Sequence, residues 1–448
     1  MDKTILIEKV NTLFYEIIDE LKDIDKETRE YNLIVPEFSR LKLRGIRSKP
    51  IKKQEYSTFI FHNIDSLRKF AGFQELLEYI ESNCELKSEI IHHLIEELFK
   101  WILDNCREKV CINKIRKFID LFYEDLLNKL VKFSIKEYFI GISLEDESYK
   151  IDEDLIIRKA NSFDFECKDM GEYESELRKY PFHFPPVILK YKYTAARNIE
   201  SYTDYSRPSE LFKELDFIDW AFLLFRSVPI FRVKTVSKIK SLFKRGTISE
   251  GFISMRTGET YFINKDNVED LKNTIRIFKR PEIGEIFEIT KKKPNHINIA
   301  LNRYRNALFF AENIPQKIVS LISCLEALLS EGGPELKRRL SQRVSIVLKS
   351  IGYDPLDVYE EINTAYRIRN NYSHGTTIDL KSSIKKDVNE FLKNITEYTR
   401  LCFLISMQIK PIKNKKEYLK LIDISLLDEN SYSEFANLIT ENCIIFKD

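Results

Sequence analysis

Arg369, Asn370 and His374 stand close together in the segment Tyr366-Arg-Ile-Arg-Asn-Asn-Tyr-Ser-His374-Gly375, and His374 is one of only six histidines in 448 residues. A histidine titrates near neutral pH and can carry a proton to or from a reacting oxygen. An arginine can stabilise charge developing on phosphate oxygens. Together they suffice for phosphodiester cleavage in which the 2′-hydroxyl of an RNA attacks the adjacent phosphate and no metal takes part. A substrate without that hydroxyl, such as DNA, is excluded. Asn370 can orient the phosphate or the histidine. The Arg-x4-His spacing is weak by itself, because it arises often by chance.

The elements around these residues decide whether they can act together. At 100° per residue, Val358, Ile362, Ala365 and Arg369 fall on one helical face, so an arginine continues an apolar stripe. A charge in that position needs a partner or a wet cleft. The alternative is an arginine snorkelling at a helix C-terminus, where its charge suits the macrodipole. His374 follows five residues later, about 140° away on an unbroken helix. Asn370-Asn371 and Gly375 are residues that end helices. A break after Asn370 is therefore expected, which would fold His374 back toward Arg369.

Two upstream segments accompany this one: Leu325-Glu-Ala-Leu-Leu329 and Leu340-Ser-Gln-Arg-Val-Ser-Ile346. In this order the three segments resemble the HEPN superfamily, and most nearly its Apea-like branch, over residues 295 to 408. The resemblance implies a helical bundle with metal-independent endoribonuclease activity and no cofactor. It implies Arg369 and His374 as the core of the site, with Asn370 as the polar position after the arginine. It further implies an RNA substrate and a homodimer in which two such motifs face one composite cleft, often in bacterial anti-phage defence or abortive infection. Some members of the superfamily have lost catalysis and only bind or scaffold.

Further residues have two readings each. Glu326 and Arg343 both lie at the edge of an apolar stripe, so they can form an ion pair tying two helices, or Glu326 can orient Arg369 or the histidine. Tyr366 and Tyr372 can pack or stack on bases. Lys337, Arg338, Arg339 and Arg367 can line an RNA path or simply solvate a helix face.

Composition narrows the remaining classes. The net charge is +2, so no whole-protein field favours nucleic acid, although acid-free basic runs occur at 40–53 and 226–245. Such runs form a solvated face or a phosphate-binding surface. Seven cysteines lie at irregular spacing with no CxxC pair, which fits reduced thiols and a cytoplasmic location. No apolar run reaches the ~18 residues of a membrane span. Glycine is scarce, at 12 residues, and neither GxGxxG nor GxxxxGK[ST] occurs, which disfavours a nucleotide cradle. No metal site is expected: His92-His93 are adjacent and point apart, and His62, His183 and His296 are isolated. Asp154 with Glu166-Cys-Lys168 has restriction-nuclease spacing, but with 32% charged residues such matches are frequent by chance.

The periodicities predict a mainly helical α+β chain. Residues 1–132 read as a helical N-terminal region, with an irregular basic stretch at 30–57. Residues 133–292 read as a strand-rich module, and 293–410 as a bundle of about five helices beginning near Ile297. In that bundle Gly332-Gly333-Pro334 is expected to stop one helix and start the next. Residues 411–448 form a tail with no assigned structure. The first 292 residues are the expected place for a trigger or an inhibitor partner. A silent HEPN module and a nucleotide-modifying enzyme are the alternatives to a ribonuclease.

Overall fold

The computed structural model describes residues 1–21, 26–39, 42–56, 70–105, 112–127, 130–161, 164, 187–196, 209–239, 247–250, 260–287, 294–376, 379–384 and 386–446. The chain is mainly helical α+β, and it divides into two compact units that interleave in sequence.

The first unit comprises Met1–Phe139, Glu153–Phe212 and Val233–Gly251. Its helices are α1 (Lys3–Leu21), α2 (Ala71–Asn83), α3 (Ser88–Asn105) and α4 (Ile112–Leu127). Residues at helical spacing on α1, α2 and α3 meet in one apolar core: Leu6, Val10, Leu13 and Phe14 pack with Phe73, Leu76, Leu94 and Leu98. Residues 30–57, read as irregular, instead fall largely in an antiparallel hairpin of β1 (Lys26–Ser39) and β2 (Lys42–Tyr56). Pro36 and Pro50 concealed it, because proline argues against a central strand, yet a two-stranded ribbon consists only of edges. The unit also contains β3 (Leu130–Ile140).

In the second unit the chain continues through β4 (Ile142–Leu144) and β5 (Ser148–Lys150), and the first unit resumes at β6 (Leu155–Lys159), β7 (Val187–Ala196), β8 (Phe231–Ile239) and β9 (Thr247–Glu250). Strands β6-β7-β3-β8-β9 are hydrogen-bonded in that order. The period of two shows on β6, where Leu155 and Ile157 are buried and Ile156 faces solvent. The predicted strand at 251–255 lies outside the described residues, as do Cys106, Cys111, Cys167, His62, His183, Glu166 and Lys168.

The second unit comprises Ile140–Asp152, Lys213–Arg232 and Phe252–Asp448. It takes in most of α5 (Ser209–Phe225), and β4 pairs in parallel with β10 (Tyr261–Ile263). Gly141, at φ +82°, precedes β4, and a Cβ there would sit 2.3 Å from the Pro229 carbonyl, so only glycine fits. Then come α6 (Val268–Phe278), α7 (Pro281–Ile286), α8 (His296–Phe309), α9 (Ile314–Leu329), α10 (Leu336–Lys349), α11 (Pro355–Ser373), the short α12 (Leu380–Ser383), α13 (Val388–Ile409), α14 (Lys415–Ser425) and α15 (Glu429–Asn442).

Side-chain caps explain most of these helix starts. Asn295, Asn313, Asp354, Asp387, Asn414 and Asp428 each accept from backbone N–H groups of the helix that follows, and Asn414 completes a capping box with Glu417. Helix α10 differs: it starts at Leu336 rather than at Pro334, behind Glu335 in a left-handed conformation. The unassigned tail is helical and docks. Lys415 at the start of α14 donates to the carbonyls of Ala327 and Ser330, at the C-terminal end of α9.

The deepest polar group of this unit is the Glu397–Arg400 pair on α13. The Arg400 guanidinium is fully buried, and it donates to both Glu397 oxygens and to the carbonyls of Leu224, Phe225 and Phe446. That is one acceptor for each of its five N–H groups, which is what makes a buried charge tolerable. Within the basic run 226–245, Arg226 is buried too. It donates to Tyr261 and Asp270, so it is a core residue and not part of a phosphate-binding face. Arg232 pairs with Asp219. Among the described residues no helix is long and apolar enough to cross a membrane.

Candidate active site at the end of α11

Helix α11 begins at a strong stop. Asp354 Oδ1 accepts from the N–H groups of Leu356 and Asp357, and Pro355 occupies the first turn, where its missing N–H costs nothing. The helix runs on to Ser373 and does not break after Asn370. The Gly375 N–H donates to the Tyr372 carbonyl at 3.1 Å and the Thr376 N–H to the Asn371 carbonyl at 2.9 Å. This is the Schellman arrangement, with glycine in the left-handed position at φ +68° and His374 as the C-cap. The two asparagines remain helical because Gly375, four residues beyond Asn371, offers a cheaper place to turn the chain.

This moves the expected break. Arg369 and His374 stand on one continuous helical run, so their side chains diverge by about 140° within a chain. The His374 side chain is exposed and makes no hydrogen bond to a described residue. Its own face of α11 is the one that carries Arg367 and Asn370, seven and four residues before it.

Arg369 is held in place by α9. Its Nη2 donates to Glu326 Oε2 at 3.2 Å and its Nη1 to Asn370 Oδ1 at 3.1 Å. The other Glu326 oxygen accepts from the Tyr366 hydroxyl at 2.8 Å. Tyr366 is buried, and that burial, together with its bond to the Glu326 carboxylate, pushes the phenol up to about 12. It therefore stays protonated and is a packing and positioning residue. The guanidinium sits 5.5 Å from the Tyr366 ring centre and its Nε is buried, while the side chain as a whole is 28% exposed, so an anion can meet it only at the Nη groups.

Glu326 pairs with Arg369, the contact that the second reading requires, and makes no pair with Arg343. Arg343 is buried elsewhere. It grips Asp423 of α14 with two bonds of 2.7 Å and donates to the Leu329 carbonyl, so it ties α9, α10 and α14 together and stands apart from the site. Asp423 and the Glu397–Arg400 pair were missed from sequence. A signal for the second was present, since Glu397 and Arg400, three residues apart, are the only charges in the mainly apolar stretch from Ile395 to Ile409.

The remaining candidates scatter. Tyr372 is exposed, and Arg367 is exposed with one bond to the Ser383 carbonyl. Lys337 is exposed, Arg338 pairs with Glu335, and Arg339 reaches the Gly332 carbonyl at 3.4 Å. His92 packs edge-on against Phe73, and among the described residues no cluster of His, Cys, Asp or Glu has the arrangement of a metal site. Compared with family models, curated proteins and solved structures, the chain matches none.

Proposed function

We propose that the protein is a metal-independent endoribonuclease that uses Arg369, Asn370 and His374, with the RNA 2′-hydroxyl as nucleophile. The observation that carries this reading is the Glu326–Arg369 pair. A carboxylate from α9 fixes a part-exposed guanidinium five residues before an exposed histidine that has no partner among the described residues. His374 takes the proton from the 2′-hydroxyl or delivers one to the leaving 5′-oxygen. Arg369 stabilises the phosphate oxygens, and Asn370, already bonded to Arg369, holds that geometry. Because Arg369 and His374 diverge within one chain, the site is completed by a second copy. The histidine of one protomer then works with the arginine of the other. Anti-phage defence or abortive infection, the setting that the HEPN resemblance implies, goes with such an enzyme.

The test is incubation of purified wild type and His374→Ala with mixed RNA in EDTA. Cleavage by the wild type alone, leaving 2′,3′-cyclic phosphate ends, is expected. Light scattering of the wild type should give twice the monomer mass, and a monomer at micromolar concentration would sink the composite site. A second reading, a silent module that binds RNA or protein, is favoured by one observation: Arg369 already spends donors on Glu326 and Asn370. Absence of cleavage by either protein would select it.

A further inference from the structure

A cavity of about 490 Å³ opens between α11, α12 and the start of α13, within the range of small-ligand sites. Its apolar lining comes from Leu356, Ile384 and Phe391, of which the last two are buried and Leu356 is largely exposed. Its charged groups without an ion pair among the described residues fall into two sets along α11. Asp357 and Glu360, nearer the start of α11, are exposed carboxylates without an ion pair among the described residues. Arg367, further along α11, makes one side-chain bond among the described residues, to the Ser383 carbonyl. Lys386 is already neutralised by Glu361 and Glu390, so it adds no free positive charge.

This distribution disfavours a phosphate, which the two free carboxylates would repel. It suits a flat, apolar-faced ligand with hydrogen-bond donors at one end and acceptors at the other. Glu360 and Arg367 are seven residues apart on the same face of α11, about 10 Å along the axis. Of the four RNA bases, only guanine presents two adjacent N–H donors, N1–H and N2–H, that match the two oxygens of a carboxylate. Its O6 and N7 are the acceptors that an arginine reads. Adenine and cytosine place a ring acceptor beside their amine, and uracil offers one N–H between two carbonyls.

We infer that this cavity is a guanine-base site, with Glu360 on the N1–H/N2–H edge and Arg367 on O6 and N7. His374 lies a further seven residues along the same face, so a guanine held here sits within a few nucleotides of the candidate scissile phosphate. That base-reading role rests on the ribonuclease reading, whereas binding of the base does not.

The test is calorimetric titration of the full-length protein with GMP, AMP, CMP and UMP. Saturable GMP binding is expected, tighter than the other three by about tenfold, the worth of one good bidentate contact. Glu360→Gln offers one donor and one acceptor in place of two acceptors, and should remove most of that preference. Arg367→Ala should weaken GMP binding by a similar factor, with circular dichroism confirming the fold of both variants. No GMP binding at millimolar concentration, equal binding of all four nucleotides, or an unchanged preference in Glu360→Gln would overturn the inference. A parallel titration uses 2′-O-methyl oligouridine with and without a central guanosine, which cannot be cleaved. Preference for the guanosine-containing strand assigns the base to RNA, and GMP binding without it assigns the base to free nucleotide. Because none of these readings needs turnover, the pocket and the ribonuclease can fail separately.

Discussion

Glu326 is the residue on which the candidate site turns. It accepts from Tyr366 with one oxygen and holds Arg369 with the other, so its loss leaves a hydroxyl and a guanidinium without their shared partner. Glu326→Ala should destabilise the protein by ~1–3 kcal/mol, reduced from a fully buried pair because both groups keep some contact with water. Tyr366→Phe removes one hydrogen bond and leaves the ion pair, so about 1 kcal/mol or less is expected. Urea denaturation of both single variants and the double variant checks this. If the double variant loses the sum of the two, the three groups are not coupled. From sequence, Arg369 was legible as a charge on an apolar stripe. Its partner was not, because an acid on a distant helix leaves no local trace of whom it faces. Two readings of Glu326 therefore stood until the packing of α9 against α11 was known.

At the scale of elements, α14 changes the picture of the bundle. It arises from a segment with no assigned structure, yet it supplies Asp423 to the buried Arg343 and Lys415 to the end of α9. Asp423→Ala should cost ~2–4 kcal/mol, since it strands a buried guanidinium while giving up a partner that is itself part-exposed. Thermal unfolding measures this, and a loss below half a kcal/mol would show that α14 contributes little to the bundle. The helices α8 to α11 and α13 were readable from apolar spacing, and all of their starts except that of α10 are fixed by Asx caps visible in the sequence. The end of α11 was misplaced because asparagine and glycine both terminate helices. Only the choice of 6→1 and 5→2 hydrogen bonds shows that glycine wins here.

At the scale of the whole molecule, pH reads out an arrangement drawn from distant segments. His296 begins α8, and burial, with the charges of Lys415 and Lys410 beside it, pushes its imidazole down from 6.5 to about 4. Below about pH 6.5 the unfolded chain binds a proton at His296 that the folded chain refuses, so stability falls as pH drops from 6.5 to 4. It levels off below 4, where both states are protonated. Melting temperatures between pH 7 and 5 should therefore fall more steeply for the wild type than for His296→Gln. Parallel slopes would show that this histidine is not held neutral by the fold.

Periodicity and composition alone determined a mainly helical α+β chain, a C-terminal bundle, and the short segment that holds Arg369, Asn370 and His374. These follow from local rules, since helical faces, caps and glycine positions act over a few residues. Only the tertiary structure decided that Glu326 serves Arg369, that Arg343 belongs to Asp423, that Arg226 is core, and that Arg369 and His374 diverge within a chain. The first three are choices of partner across a long sequence separation, and the last is set by where α11 ends. Many acids and bases in the chain were compatible with each choice, and packing geometry picked one.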